Sequence, residues 1–221
     1  MNGLDEAGSI LAQKARVMAA AAATPSPTRR QARRVTYLIV ALSVIVGLTL
    51  FELAGGLAHA RDRPLALTVR LADGWALASA VLTWLVVRRA TPLVRDGDVL
   101  ALLLVAAPLV LLGWMARFHL AYVDAPPVAD WPCFVGALTA AAAPLAGLSW
   151  ARRKAEPRRP GMLGAAIGAS CGAWAGVLAL LWCPHTGLEH ALAGHVAPLV
   201  ATTVLGAITG VRVLRMRRGS P

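Results

Sequence analysis

Six long apolar runs, separated by short polar segments, divide this chain of 221 residues. Crossing a bilayer as a helix takes roughly 20 mostly apolar residues, and each run is about that long. A soluble domain of this length buries one core, and the mean hydropathy of +0.63 is far above that of soluble proteins. The chain is therefore predicted to be an all-α polytopic membrane protein with a bundle of six transmembrane helices. The predicted spans are Val35–Ala58, Leu67–Val87, Val99–Ala116, Cys133–Trp150, Met162–Trp182 and Ala191–Val213.

Basic residues are concentrated in alternate connections between these runs. Most of the 22 lysines and arginines lie in the two terminal tails and in the second-to-third and fourth-to-fifth loops. Because cytoplasmic loops are enriched in lysine and arginine, both termini are predicted to be cytoplasmic. The net charge of +11 then reflects topology, and no nucleic-acid-binding pattern accompanies it. The predicted parts are a cytoplasmic tail (1–34), a transmembrane domain (35–213) and a basic cytoplasmic tail (214–221).

The N-terminal tail is predicted to begin with a short amphipathic helix over residues 1–24. Its apolar residues recur every seven positions, and its acidic residues precede its basic ones, as the helix dipole favours. Such a helix either docks in a groove of a cytoplasmic partner or lies on the bilayer surface. The candidate partner-binding residues are Leu4, Asp5, Ile10, Leu11, Val17 and Met18.

Two cysteines and all the histidines are predicted to share the outer face of the membrane. Cys133 begins the fourth span and Cys183 follows the fifth. Four interpretations remain open: a disulfide, a site for zinc, cadmium or copper, a reversibly oxidised thiol pair, and ordinary interfacial residues. The accompanying histidines are His59, His119, His185, His190 and His195.

The spacing of the histidines limits which of them are expected to share an ion. His190 and His195 are five residues apart, so an α-helix does not place them on one face. They are therefore not expected to bind the same ion. The candidate metal ligands are Cys133, Cys183 and His185, and the wider set of candidate sensing residues adds His190 and His195.

Glycine occupies every fourth position of the fifth predicted span. In a helix these residues line one groove, in which another backbone can approach closely. The groove indicates either packing within the chain or a seam between two copies. The residues are Gly164, Gly168, Gly172 and Gly176.

Charged residues in the first two spans support an alternative function. Intramembrane Glu52, Arg70 and Asp73 form either a structural polar lock or part of an ion path. The alternative is therefore a small transporter that handles a metal ion or protons, although the sequence has no inverted repeat. An enzyme is not expected, because neither Gly-x-Ser-x-Gly nor His-Glu-x-x-His occurs.

From Arg34 to Arg217 the chain resembles in outline the NrsF-type integral-membrane anti-sigma factors, most closely in its second half. The resemblance is sharpest at Asp130-Trp131-Pro132-Cys133, in the arginine-rich loop and glycine-rich fifth helix, at Cys183-Pro184-His185 and at His195. The size and layout are also similar to the light-responsive anti-sigma factors of myxobacterial carotenoid regulons.

This resemblance implies a six-helix protein of the bacterial inner membrane. Such a protein holds an extracytoplasmic-function sigma factor through cytoplasmic segments, and so represses transcription in unstressed cells. The family's paired cysteines, implicated in sensing metal or oxidative stress, map onto Cys133 and Cys183. Release would follow an oxidative, light-derived or metal signal, by conformational change or proteolysis. A possible metal ion is the only cofactor implied.

Overall fold

The computed structural model describes residues 29–56, 65–87, 97–119, 131–153, 159–183, 185 and 187–214, with residues 12, 13, 15, 16 and 19 of the tail. Within these residues the fold is all-α, as predicted. The first five helices are α1 (Arg29–Leu53), α2 (Leu65–Val87), α3 (Gly97–His119), α4 (Trp131–Arg152) and α5 (Pro160–Trp182). The last helix has three consecutive parts: α6 (Leu188–His190), a π-helical turn (Ala191–Val196) and α7 (Ala197–Val213).

Five helices in the described part of the chain are long and apolar enough to cross a membrane. A helix suits this environment because it satisfies its backbone hydrogen bonds internally. In α3 the apolar stretch is shorter, Ala101–Arg117. The polytopic helical bundle is thus confirmed, with five of its six spans supported by length and composition.

The first helix ends earlier than predicted. α1 stops at Leu53, although the apolar run continues to Ala58. Gly55 and Gly56 follow with φ of 102° and 52°, in the left-handed region that glycine adopts without strain. Such residues commonly end helices, so backbone freedom here overrides hydropathy.

The predicted tail helix lies largely outside the described residues. Ala12, Gln13, Ala15, Arg16 and Ala19 are helical and exposed. Outside the described residues lie all the candidate partner-binding residues, Leu4, Asp5, Ile10, Leu11, Val17 and Met18.

The chain divides into two compact units, residues 1–35 and 36–221. In the larger unit α5 is central and packs against α2, α4 and α7. Of its most apolar 18-residue window 83% is buried, against 17% for α1. One apolar cluster surrounds Trp75 between α2 and α5, and a second surrounds Ile167 between α4 and α5. The bundle is therefore built around α5, and α1 is the helix that packs least against the others.

The seam between α5 and α7 is made by glycines on both helices. A Cβ atom added to Gly164 would overlap the carbonyl oxygen of Gly206, and one added to Gly168 would overlap that of Thr202. In return, Cβ atoms on Gly206 and Gly210 would overlap backbone oxygens at the start of α5. The two backbones touch directly, which fixes α7 against α5.

The remaining two glycines of the groove also face parts of the same chain. Gly172 lies against Leu199 of α7, and Gly176 lies against the ring of Trp75 of α2. All four predicted glycines are buried inside the larger unit. The groove is therefore filled by two neighbouring helices of one chain.

Hydrogen bonds from long side chains to backbone carbonyls join three pairs of neighbouring helices. The carbonyls of Val86 and Ala54 lie at or beyond the C-terminal ends of their helices, where carbonyls have no partner within the helix and accept such donors. The bonds run from Arg152 Nη2 to Val86 O (2.6 Å), from Trp114 Nε1 to Arg70 O (3.0 Å) and from Trp182 Nε1 to Ala54 O (2.9 Å).

Charged groups of the first two spans do not come together. Glu52, Arg70 and Asp73 are all exposed. Across the described ranges none of them forms an ion pair, with each other or with another residue. The cavity that Asp73 borders, about 520 Å³ between α2 and α3, is otherwise lined by apolar residues and Trp114. Within the described ranges these three charged residues therefore form no structural polar lock.

Candidate metal centre

Two cysteines and two histidines converge at one end of the bundle. Cys133 lies in the first turn of α4, Cys183 caps the end of α5, His190 ends α6 and His195 lies in the π-helical turn. One potential ligand atom from each residue lies within 4.8 Å of the other three. All four residues are buried, so the group is enclosed by protein.

The two thiols are adjacent and unbonded. Cys133 Sγ lies 3.5 Å from Cys183 Sγ, and Cys183 Sγ lies 3.1 Å from His190 Nε2. The hydrogen bond from Cys133, aided by the hydrogen bond with His190 and by the charge of the nearby His195 imidazole, holds the pKa of Cys183 well below its usual range, although burial opposes this. This lowering favours the thiolate form of Cys183, which is the form that binds metals and attacks disulfides.

His195 is buried without a hydrogen-bond partner. Its exposed fraction is 1%, and among the described residues neither Nδ1 nor Nε2 has a partner. An unsatisfied buried polar group costs about 1–3 kcal/mol, so such histidines are rare. Because this ring faces two thiols and a second imidazole, a bound cation would satisfy the nitrogen that faces it.

The π-helical turn explains how His190 and His195 reach the same point. On an α-helix two residues five apart lie about 140° apart around the axis. The hydrogen bonds of a π-helix run over five residues, so such residues lie nearly above one another. Here the Ala197 N–H bonds to the Leu192 carbonyl, and the two imidazole centroids are 5.3 Å apart. The expectation that these histidines lie too far apart around the helix to share an ion assumed an α-helix, and the structure instead places them together.

Gly194 leaves room for the imidazole of His190. A Cβ atom at position 194 would stand 3.2 Å from His190 Nε2 and 3.2 Å from Cys133 Cβ. Both distances are tighter than ordinary contacts, so a side chain there would displace one of the two residues. Sequence reasoning missed this glycine, and its one visible signal was its position beside a histidine in an apolar run.

The structure does not include His185 in the group of four. Its ring lies 5.4 Å from that of His190, and its carbonyl lies 3.8 Å from Cys183 Sγ. His185 therefore borders the site, and His190 occupies the ligand position that the sequence analysis predicted for His185. Of the other two predicted histidines, His59 lies outside the described residues and the side chain of His119 is not described.

The donor set fits a four-coordinate soft or borderline cation. Two thiolates and two imidazoles form one of the common tetrahedral zinc sites. At Zn–S distances of about 2.3 Å, two thiolates on one ion lie about 3.8 Å apart, close to the 3.5 Å observed. A disulfide would need the sulfurs to approach by about 1.5 Å. The group can therefore hold a metal ion, and its thiols are also close enough to become oxidised.

The position of His185 predicts a difference between two alanine variants. We expect His190→Ala to weaken Cd²⁺ binding by at least about 10-fold, because it removes a donor atom. Removing an outer-shell partner costs about 10- to 100-fold, and losing a ligand costs no less. His185→Ala should leave the affinity within about 3-fold. Competition with a chromophoric chelator on the purified chain would measure both values, and the reverse order would restore His185 as the ligand.

Comparison with known proteins gives one match. The family described as NrsF, negative regulator of sigma F, matches residues 17–216. The match covers every described helix from α1 onward and includes all four residues of the candidate metal centre. No curated protein and no solved structure matches the chain.

Proposed function

The chain belongs to the NrsF family of negative regulators of sigma F, and from this premise we propose how it holds and releases a sigma factor. It is a multi-pass protein of the bacterial inner membrane that binds an extracytoplasmic-function sigma factor through its N-terminal tail. A metal or oxidative signal at the Cys133–Cys183 site releases the sigma factor. Transcription of the regulon is repressed until that signal arrives.

The proposed orientation is supported by the distribution of charge. Most lysines and arginines lie in the two tails and in the loops that follow α2 and α4, whereas Cys133 lies at the start of α4. The positive-inside rule assigns the C-terminal ends of α2 and α4 to the cytoplasm, where the sigma factor is. The Cys133 end then faces the outer compartment, so signal and output lie on opposite sides of the membrane.

The buried imidazole of His195 is the observation that most strongly supports the proposed signal site. A disulfide switch needs only the two cysteines and leaves the ring nitrogens of His195 without a hydrogen-bond partner among the described residues. A buried imidazole with both nitrogens unpartnered among the described residues, facing thiols, is explained by a cation that it binds. We therefore place metal binding first and thiol oxidation second. The donor set favours zinc, cadmium or copper(I) over magnesium or calcium.

Deleting residues 1–24 tests the docking role of the tail. We expect the shortened chain, in membranes, to retain no more than about one tenth of the sigma factor that the full chain retains. The reason is that a docked amphipathic helix supplies several apolar anchors, and each 1.4 kcal/mol lost is tenfold in affinity. Co-purification of the sigma factor with the tagged chain, followed by mass spectrometry, measures the retained amount.

Two single substitutions provide a matched control for this deletion. Leu11→Glu places a charge on the proposed apolar face, whereas Gln13→Glu places the same charge at an exposed helical position. Only Leu11→Glu should release the sigma factor. If the deletion and Leu11→Glu both leave the complex intact, the tail lies on the bilayer and the docking proposal fails.

A further inference from the structure

The helix that continues into the tail is also the one with the least packing. α1 runs without interruption from Arg29 to Leu53, so its N-terminal end follows the proposed docking segment (1–24) after four residues of the sequence. Only 17% of its most apolar window is buried, against 83% for α5. A helix with few packing contacts changes position more readily than one packed on all sides.

The other end of α1 is tied to the residue that precedes Cys183. α1 ends at Leu53, and Ala54 follows in the turn that contains Gly55 and Gly56. The carbonyl of Ala54 lies beyond the last helical hydrogen bonds and needs a donor from elsewhere. Trp182 Nε1 donates to it at 2.9 Å. The Trp182 side chain thus links α1 to the end of α5, one residue from the candidate metal centre.

Two features of the bundle determine which part of the backbone can move when the site binds an ion or becomes oxidised. The glycine seam fixes α7, which follows the π-helical turn, directly against α5. Three of the four site residues therefore lie on a hairpin whose helices cannot slide past one another. The end of α5 is less constrained, because Cys183 has already left the helical conformation, with φ −76° and ψ 125°.

We infer that Trp182 is a positioning residue that couples the Cys133–Cys183 site to the position of α1 in the bundle. Ligation or oxidation of Cys183 shifts the backbone at the end of α5, weakens the bond to Ala54 and frees α1. Coupling of this kind requires that the signal favour one of the two arrangements in free energy. The inference rests on the proposed function, because it assigns the tail as the output.

Trp182→Phe tests the coupling by removing one donor and keeping the ring. With the full chain in cells and a sigma-dependent reporter, we expect transcription without signal to rise by about 2- to 10-fold, the range for one neutral hydrogen bond. By linkage, Cd²⁺ affinity should rise by no more than the same factor, and the amount of protein in the membrane should stay within about 2-fold of the parent. Trp114→Phe is the matched control, since Trp114 donates the same kind of bond to the Arg70 carbonyl, between α2 and α3.

A second variant perturbs the acceptor side and leaves α5 unchanged. Gly55→Ala places a side chain at φ 102°, which shifts the turn that holds the Ala54 carbonyl. It should raise the reporter as Trp182→Phe does, and the double variant should add little, because both act on one bond. Equal effects of Trp182→Phe and Trp114→Phe, or additive effects of Gly55→Ala and Trp182→Phe, would overturn the inference.

The tail deletion separates this inference from the proposed function. If removing residues 1–24 leaves the reporter repressed, the tail is not the output and the proposed function fails. If the deletion activates the reporter while Trp182→Phe leaves it unchanged, the docking role stands and only the coupling through Trp182 is rejected.

Discussion

Cys183→Ser is expected to abolish both ion binding and the response to metal. The substitution removes the one thiolate that contacts both Cys133 and His190, and serine is a poor ligand for a soft cation. We expect Cd²⁺ affinity to fall by more than about 100-fold, beyond the range for loss of an outer-shell partner. In cells the sigma-dependent reporter should remain repressed when Cd²⁺ is added. Chelator competition and the reporter measure the two effects.

Cys171→Ser is the matched control, because it makes the same change in a buried cysteine of α5 outside the cluster. It should leave affinity and response near those of the parent. His195→Ala then separates the two signals: a metal sensor loses its response to Cd²⁺ but keeps any response to a disulfide-forming oxidant. If Cys183→Ser still binds Cd²⁺ as the parent does, the four residues are not a metal site.

Gly168→Ala is expected to destabilise the bundle although alanine is the better helix former. The added Cβ atom would overlap the Thr202 carbonyl oxygen, and neither backbone of the seam can yield by rotating a side chain. Overpacking costs about 1–3 kcal/mol or more, which exceeds the gain of about 1 kcal/mol in helix propensity. Thermal unfolding of the purified chain in detergent would show the loss. Cd²⁺ affinity should fall too, because separating α5 from α7 moves Cys183 away from His195.

Gly136→Ala provides the control for this effect. Gly136 lies inside α4, and an added Cβ atom there would have no atom within 4 Å. The variant should gain stability from helix propensity alone. Gly168→Ala with stability equal to or above that of Gly136→Ala would show that the two helices do not touch at the seam.

Hydropathy was sufficient to predict the helices, because each run must satisfy its backbone in a membrane. The boundaries of α2 and α5 lie within two residues of the predicted ones at each end. The end of α1 was missed by five residues, because the apolar run continues through Gly55 and Gly56 while the backbone turns there. Hydropathy depends on the side chains alone, whereas the end of α1 is determined by the backbone conformation of the two glycines.

Sequence also suggested that the thiols lie together, because each marks the predicted outer end of a transmembrane helix. It could not give the full donor set. His185 was favoured because it is close to Cys183 in the chain, whereas His190 reaches the sulfur at 3.1 Å through the fold. The π-helical turn leaves no trace in the periodicity of an apolar segment, since every position there except His195 is apolar or small. The bond from Trp182 to Ala54 joins residues 128 apart and follows from packing alone.

The π-helical turn has a consequence for comparing related sequences. Such a turn equals an α-helix into which one residue has been inserted, with the flanking turns still in register. A relative that lacks one residue between the two histidines would carry them four apart, on one face of an ordinary helix. Sequences with His-x₃-His and His-x₄-His at this point can therefore build the same site, and an alignment gap between them marks a change of helix type with the donor set retained.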